Sequence, residues 1–304
     1  MSRHRSSLLY SELLWFTLNE VRACVFAGSF FVVLALSNHL PLGPLPRYDF
    51  ILIMAVLLQA GLVATRIETL DELRSICLFH AIGFALEVFK TQPGIGSWAY
   101  PESAYTKLLN VPLYSGFMYA AVASYMMQAW RLFDLELEHY PPYRWTLPLA
   151  AAIYLNFFTH HYIGDLRWWL VALLLVVFAR THVAFTPHRL RLRMPLLLAF
   201  VLIGGFIWIA ENISTLLGAW VYPHQHDGWR VVHAGKISSW ALLVVITVII
   251  VADLKHHKAV RGPGSRLATK PLDDASRDRP RILHPREVCR EPVVEIRRRQ
   301  IDAS

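Results

Sequence analysis

Charged residues are scarce in this sequence: Asp, Glu, Lys and Arg make up 17% of its 304 residues, against about 25% in an average soluble protein. Hydrophobic residues account for 55% of the chain, and the mean hydropathy is +0.38. Cysteine is also rare, and Cys24, Cys77 and Cys289 lie far apart. This spacing excludes a disulfide framework and the clustered ligands of a zinc site. The composition therefore predicts a polytopic membrane protein.

Several motifs of enzymes and cofactor-binding proteins are absent as well. The sequence contains no P-loop, no Rossmann fingerprint, no Gly-x-Ser-x-Gly and no His-Glu-x-x-His. Nucleotide-driven transport and serine or zinc hydrolysis lose support, and no cofactor or metal is predicted. The basic start of the chain is not followed by a small-residue cleavage site, so we expect the first helix to be retained.

Positive charge is concentrated at the carboxyl end. Residues 254–304 hold 13 Lys and Arg against 7 Asp and Glu, which is +6 of the formal net charge of +8. This segment is rich in Pro, Asp and Ser and lacks apolar periodicity, so it is predicted to be a basic disordered tail. Such a tail is typical of a topology signal beside anionic lipid, and we expect membrane lipid rather than nucleic acid as its partner.

Long apolar stretches fill the rest of the chain. Because a membrane span needs about 20 mainly apolar residues, the sequence predicts an all-α transmembrane bundle over residues 1–253. Its halves are 13–130 and 146–253. The eight expected spans lie at 13–37, 50–65, 75–92, 111–130, 146–163, 168–186, 195–217 and 234–253.

The distribution of arginine predicts the orientation of these spans. Arg180, Arg189, Arg191 and Arg193 crowd the loop before the seventh span, and the basic tail follows the eighth. Basic loops remain on the cytoplasmic side, so both termini are expected in the cytoplasm.

One motif occurs twice, about 123 residues apart. Glu87-Val-Phe-Lys-Thr91 is followed by Gly96-Ser-Trp-Ala-Tyr-Pro101, and Glu211-Asn-Ile-Ser-Thr215 is followed by Gly218-Ala-Trp-Val-Tyr-Pro223. The spacing covers four spans, which favours two parallel four-helix repeats with a shared site between them. The predicted orientation places both motifs at the outer face.

The two glutamates are the strongest candidates for chemistry. An ionisable group inside a membrane normally faces the bundle interior, and burial favours the protonated carboxyl, so Glu87 and Glu211 are candidate catalytic acids. The rings of the loops are candidate substrate contacts. They are Trp98, Tyr100, Trp220 and Tyr222. A purely structural role is equally compatible: each glutamate would accept hydrogen bonds from a threonine one turn later and from loop aromatics, and the rings would form an interfacial belt.

Other polar groups are expected at the same face. Asn156, His160 and His161 end the fifth span and precede a tight turn. They are candidate substrate contacts, although a hydrogen-bonded corner or a metal site with either glutamate is also compatible with the pattern. Lys236 opens the eighth span and is placed to neutralise Glu211 or to hold an anionic headgroup, unless it extends to the interface.

These motifs resemble the bacterial membrane family catalogued as domain of unknown function 817. The resemblance covers about residues 10–255. It includes both copies of the motif, Val111-Pro-Leu-Tyr-Ser-Gly-Phe-Met-Tyr119 and Asn156-Phe-Phe-Thr-His-His161. It implies a multi-pass protein of the bacterial cytoplasmic membrane, with no assigned activity.

The sequence is also similar, more weakly, to carotenoid hydratases of the bisanhydrobacterioruberin type and to small membrane lycopene cyclases. Those proteins share an intramembrane glutamate, an aromatic-x-aromatic segment and a Val-Pro-Leu helix start, which match Glu87, 98–100 and 111–113. Where some of the cyclases continue Pro-Leu-Glu-Glu, this chain has Pro-Leu-Tyr-Ser at 112–115. The similarity implies acid–base chemistry on an isoprenoid.

Three classes of function follow from these patterns. The first is a membrane enzyme in which Glu87 or Glu211 protonates an apolar isoprenoid, polyene or lipid, and ring faces attract the resulting cation. The second is a proton- or cation-coupled transporter whose glutamates bind the coupling ion. The third is a non-catalytic membrane component.

Overall fold

The chain forms a helix at each of the eight apolar segments. The computed structural model describes residues 2–261, with side chains for 8–252. The α-helices in this range are α1 Ser2–Ala23, α2 Val25–Ser37, α3 Arg47–Ala64, α4 Leu70–Lys90, α5 Gly116–Leu132, α6 Tyr143–Thr159, α7 Arg167–Phe178, α8 Leu196–Leu216 and α9 Lys236–Arg261.

The ends of α4 and α8 position the two glutamates. A capping box starts α4: the Thr69 hydroxyl accepts from the Glu72 amide at 3.2 Å, and the Glu72 carboxylate accepts from the Thr69 amide at 2.7 Å. Twenty-one residues later the helix ends at Lys90, which places Glu87 in its last turn. Similarly, α8 begins after Pro195 and ends at Leu216, with Gly218 at a φ of 72° in the loop that follows.

Two small antiparallel sheets depart from the all-α prediction. Strands β1 Lys107–Leu108 and β2 Val111–Pro112 form a short hairpin. Strands β3 Glu136–Glu138, β4 His182–Phe185 and β5 Leu192–Pro195 form a sheet in the order β3-β4-β5. The predicted span 168–186 is therefore wrong at its end, because residues 182–185 pair with two other strands instead of continuing α7.

The apolar core is divided into two large clusters. One is formed by residues of α4 to α9, with Phe178, Phe200 and Ile249 among its fully buried side chains. The other joins α2 and α3 to the loops after α4 and α8, and it contains Tyr48, Tyr100, Tyr114 and Trp220. The second cluster contains aromatic rings from both copies of the repeated motif.

Few helices are suited to cross a membrane by length and composition. Within the described range α3 and α8 qualify, and a third span results if 8–23 and α2, bent by 60° at Cys24, are counted as one. Eight spans and two four-helix repeats are not supported: α7 has 12 residues and is about 18 Å long, which is less than an apolar layer of about 30 Å. The protein is mostly helical, with two to three candidate spans.

The described residues up to Lys255 belong to one compact unit. Helix α9 continues to Arg261. The predicted basic tail, 254–304, lies outside the described residues from position 262 onward.

Candidate functional site

The two copies of the motif lie side by side. Ala99 and Val221 form an antiparallel bridge, in which each amide donates to the carbonyl of the other at 2.9 Å. In this register Trp98 lies opposite Tyr222, and their rings meet edge to face with centroids 6.1 Å apart. The two loops thus form one short aromatic ribbon over the ends of α4 and α8.

Glu87 is buried under the ribbon and accepts three hydrogen bonds. Its Oε2 accepts from the Trp98 indole at 2.6 Å and from the Tyr100 hydroxyl at 2.7 Å. Its Oε1 accepts from the Tyr119 hydroxyl of α5 at 2.8 Å. The residue is only 2% exposed, so these bonds replace the water that a surface carboxylate would have.

Glu211 has a closely similar environment. Its Oε1 accepts from the Tyr222 hydroxyl, and its Oε2 accepts from the Trp240 indole of α9 at 2.8 Å. Glu211 is also 2% exposed. The second loop is two residues shorter than the first. Tyr222 is therefore 11 residues after Glu211, the same distance at which Trp98 follows Glu87. Trp220 lies instead in the core cluster with Tyr100.

Lys236 connects the two halves of the site. Its ammonium lies over the ring of Tyr222, 4.7 Å from the centroid, and over the ring of Trp98, 5.4 Å from the centroid. These are cation–π distances. Lys236 also interacts electrostatically with both glutamates, so one positive charge serves two carboxyl groups. We call this arrangement of Glu87, Trp98, Lys236, Tyr222 and Glu211 the paired-glutamate site.

The loop tyrosines are held in their protonated form. Burial, followed by the charge of Glu87, raises the pKa of Tyr100 well above 10.0. Burial and the neighbouring Glu211 do the same for the pKa of Tyr222. Both hydroxyls therefore remain hydrogen-bond donors at neutral pH.

The threonines of the motif have a different role from the one expected. The Thr91 hydroxyl donates to the backbone carbonyl of Glu87 at 2.9 Å, and the Thr215 hydroxyl donates to the backbone carbonyl of Glu211 at 3.0 Å. Bonds of this kind, to the carbonyl four positions earlier, occupy a backbone acceptor in the last turn of each helix. The threonines thus position the glutamates through the backbone.

Asn156, His160 and His161 form a polar corner after α6. The Asn156 side chain joins Asp165 to the Leu166 amide, with bonds of 3.1 and 3.0 Å. The imidazole Nε2 atoms of His161 and His160 face the ammonium of Lys90, at 2.9 and 3.5 Å. Among the described residues, no group of three or more His, Cys, Asp or Glu is placed to hold a metal ion.

A cleft of about 280 Å³ lies against the ribbon. Its lining includes Ala99, Val221 and one side of Trp98, together with polar groups from Gln92 and Asn110. Successive side chains of an extended segment point to opposite faces. The cleft therefore contacts the Ala99–Val221 face of the ribbon, whereas the hydroxyl of Tyr100 is directed to Glu87.

Three residues of the site were not singled out from the sequence: Lys90, Tyr119 and Trp240. Tyr119 and Trp240 each lie in the helix after the aromatic loop, 32 and 29 residues beyond the glutamate that they bind. The sequence offered one indication of their role. Each is an aromatic residue with a hydrogen-bond donor, a Tyr or a Trp, in an otherwise apolar helix. Lys90 is inside the motif itself, in the same helical turn as Glu87, and is 4% exposed.

Comparison with known proteins identifies relatives of this chain. Residues 12–248 match the model of a family described as "Protein of unknown function (DUF817)". The chain is 53% identical over 247 residues to a Bacillus subtilis (strain 168) protein described as "Uncharacterized protein YoaT", a match that covers 81% of this chain and 93% of the relative. No solved structure matches the chain. The protein therefore belongs to the DUF817 family.

Proposed function

We propose that this protein is a membrane enzyme that uses the paired-glutamate site for acid–base chemistry on an apolar isoprenoid, polyene or lipid. The observation that carries the proposal is the burial of two carboxyl groups that share one ammonium and are each bonded by a tyrosine. Carboxyls held in this way are suited to keep a proton and to release it to a substrate.

Hydrogen bonding indicates which oxygen carries the proton. An indole N–H can only donate, so the Oε2 atoms that face Trp98 and Trp240 must act as acceptors. The remaining Oε1 atoms face tyrosine hydroxyls, which can accept as well as donate. A proton on either glutamate therefore belongs on Oε1.

A small apolar cavity of about 20 Å³ lies beside Tyr119, which bonds Glu87. The cavity is lined by α4, α5, α6 and α9, and Tyr119 is part of its wall. The other lining residues are mostly apolar and include Leu86, Leu243 and Ile246. We infer that a substrate approaches from this cavity. The Tyr119 hydroxyl would then give its proton to the substrate and receive one from Glu87 Oε1.

The proposed reaction requires no redox partner. Protonation of a carbon–carbon double bond by Glu87 through Tyr119 produces a carbocation, which nearby ring faces stabilise. The cation then loses a different proton to Tyr119 to give an isomer, or adds water and gives one proton to Tyr119. In both cases Tyr119 returns a proton to the Glu87 carboxylate.

The proposal includes the membrane arrangement. We propose that all eight apolar segments lie in the cytoplasmic membrane of a bacterium, with both termini inside and lipid as the surrounding partner. The large exposed apolar side chains on α6 to α8 support this placement. They include Leu155, Val176, Val201 and Phe206, which are 57–75% exposed.

Expression in a polyene-producing host tests the function. Lipid extracts are compared by mass spectrometry between the wild type and Glu87→Gln, with Glu136→Gln as a control because the Glu136 side chain is 63% exposed on β3. We expect a new isomer, or a product heavier by one water, that is lost in Glu87→Gln and kept in Glu136→Gln.

Two results would contradict the proposal. One is that the wild type and both variants, at equal protein levels, leave the extract unchanged across several polyenes. The other is proton-coupled flux in liposomes that depends on Glu211, which would assign the site to a transporter.

A further inference from the structure

Lys90 is a buried lysine that forms no ion pair with the described side chains, and Asp165 is the carboxylate that interacts with it electrostatically. It is 4% exposed, and its ammonium contacts two imidazole nitrogens, 2.9 Å away on His161 and 3.5 Å away on His160. None of the ion pairs formed by the described side chains involves Lys90 or Lys236. A buried ammonium is costly unless its charge is compensated.

The two imidazoles cannot supply that compensation. His160 Nδ1 is 2.8 Å from the Asn156 carbonyl oxygen, so it carries the hydrogen and leaves Nε2 as an acceptor for Lys90. An imidazole nitrogen that accepts a hydrogen bond from an ammonium carries no proton, so a ring that accepts in this way is neutral. Both rings therefore take up two of the three N–H donors of Lys90 without balancing its charge.

Two further cations lie in the same region. Arg167 and Lys236 both interact electrostatically with Lys90. The guanidinium of Arg167 bonds the Gly235 carbonyl at 3.3 Å, next to Lys236 at the start of α9. Asp165 offsets one charge through its 3.1 Å ion pair with Arg167. Glu87 and Glu211 interact electrostatically with Lys236, so Lys90 is left as a cation of this region without an ion pair among the described side chains.

The cluster is accessible from outside. His161 and Asp165 are exposed and Arg167 is partly exposed, whereas Lys90 lies behind the two imidazoles. A cluster of an ammonium group, a guanidinium and imidazoles is suited to phosphate oxygens, which accept several charge-assisted hydrogen bonds at once.

We propose that Lys90, His160, His161 and Arg167 form a binding site for a phosphate group, from a phospholipid headgroup or from free phosphate or pyrophosphate. This inference does not rest on the proposed enzymatic function, since the site binds its anion whether or not Glu87 transfers a proton. The anion accepts a hydrogen bond from the third N–H of Lys90.

Binding measurements on the purified full-length protein test the site and separate the two sources. Free phosphate and pyrophosphate are titrated by calorimetry in detergent. Phospholipid retention is measured by native mass spectrometry after release from nanodiscs of phosphatidylglycerol or of phosphatidylcholine. We expect binding in at least one arm to weaken about tenfold or more in Lys90→Gln. Arg167→Gln, a partly exposed position, provides a second variant that leaves the buried lysine in place.

Arg193→Gln is the matched control for the loss of one positive charge. Arg193 lies on β5, at the opposite end of α8 from Glu211. Its side chain is 53% exposed. We expect anion binding by Arg193→Gln to stay within about twofold of that of the wild type. Equal binding by Lys90→Gln, Arg167→Gln and Arg193→Gln, or no binding in either arm, would overturn the proposal. Anion binding is read out directly, without any polyene product, so failure here is distinct from failure of the acid–base function.

Discussion

The contact between Gly83 of α4 and Tyr119 of α5 provides a direct test of the site geometry. A Cβ atom at position 83 would lie 2.2 Å from Cγ and 2.6 Å from Cβ of Tyr119. Carbon atoms normally approach to about 3.5 Å. Because the Tyr119 Cβ is attached to the backbone, ring rotation cannot relieve the overlap. In Gly83→Ala the two helices must separate, which withdraws the Tyr119 hydroxyl from Glu87.

The expected magnitude follows from three opposing contributions. Overpacking costs about 1–3 kcal/mol, and loss of the hydrogen bond to a buried carboxyl costs about 1.5–3 kcal/mol. The better helix propensity of alanine offsets about 1 kcal/mol. The net destabilisation of Gly83→Ala is therefore about 3 kcal/mol, which corresponds to a fall of roughly 6–12 °C in the midpoint of thermal unfolding.

Circular dichroism of the purified protein in one detergent measures this midpoint. Gly61→Ala and Gly205→Ala are the controls, because a Cβ at either position meets nothing within 4 Å. Both controls gain helix propensity without a clash, so their midpoints should stay the same or rise. A midpoint for Gly83→Ala that equals or exceeds that of Gly61→Ala would refute the close approach of the two helices.

Three further substitutions test other parts of the structure. Tyr222→Phe removes the hydroxyl that donates to Glu211 and should lower the free energy of unfolding by about 1.5–3 kcal/mol; Tyr105→Phe, at an 81% exposed position, should change it by less than about 0.5 kcal/mol. Arg47→Met removes the guanidinium that donates to the carbonyls after α8, and denaturant titration should show a loss of about 2–3 kcal/mol. His160→Ala removes the imidazole whose Nε2 faces the buried Lys90 ammonium, and the free energy of unfolding should fall by about 1–3 kcal/mol. An unchanged unfolding curve would contradict this contact.

The helices were predictable because a long run of apolar residues has few other secondary structures available to it. Each of the eight predicted segments overlaps a helix. Two features were not predictable. Residues 182–185 are apolar enough to extend a helix, and only their pairing with distant strands identifies them as β4. The break at Cys24 has neither glycine nor proline as a signal, and it divides the first predicted span into α1 and α2.

The part of the candidate site that lies within one motif was predictable from the sequence. The motif places Trp98 and Tyr100 after Glu87, and both donate to its carboxylate. Lys90, Tyr119 and Trp240 depend on which helices come together, which the spacing within one motif does not encode. Alignment of the two motifs by residue type also pairs Trp98 with Trp220, whereas distance from the glutamate pairs Trp98 with Tyr222.

That exchange of partners explains why two glutamates form one site. An antiparallel bridge relates its strands by a local two-fold axis, so equivalent positions face each other across Ala99 and Val221. Trp98 and Tyr222 each bond their own glutamate and meet at this axis. The space beside them accommodates a single cation, Lys236, which contacts both rings. A change at Lys236 therefore alters the electrostatic environment of both carboxyl groups, because both interact with the same ammonium.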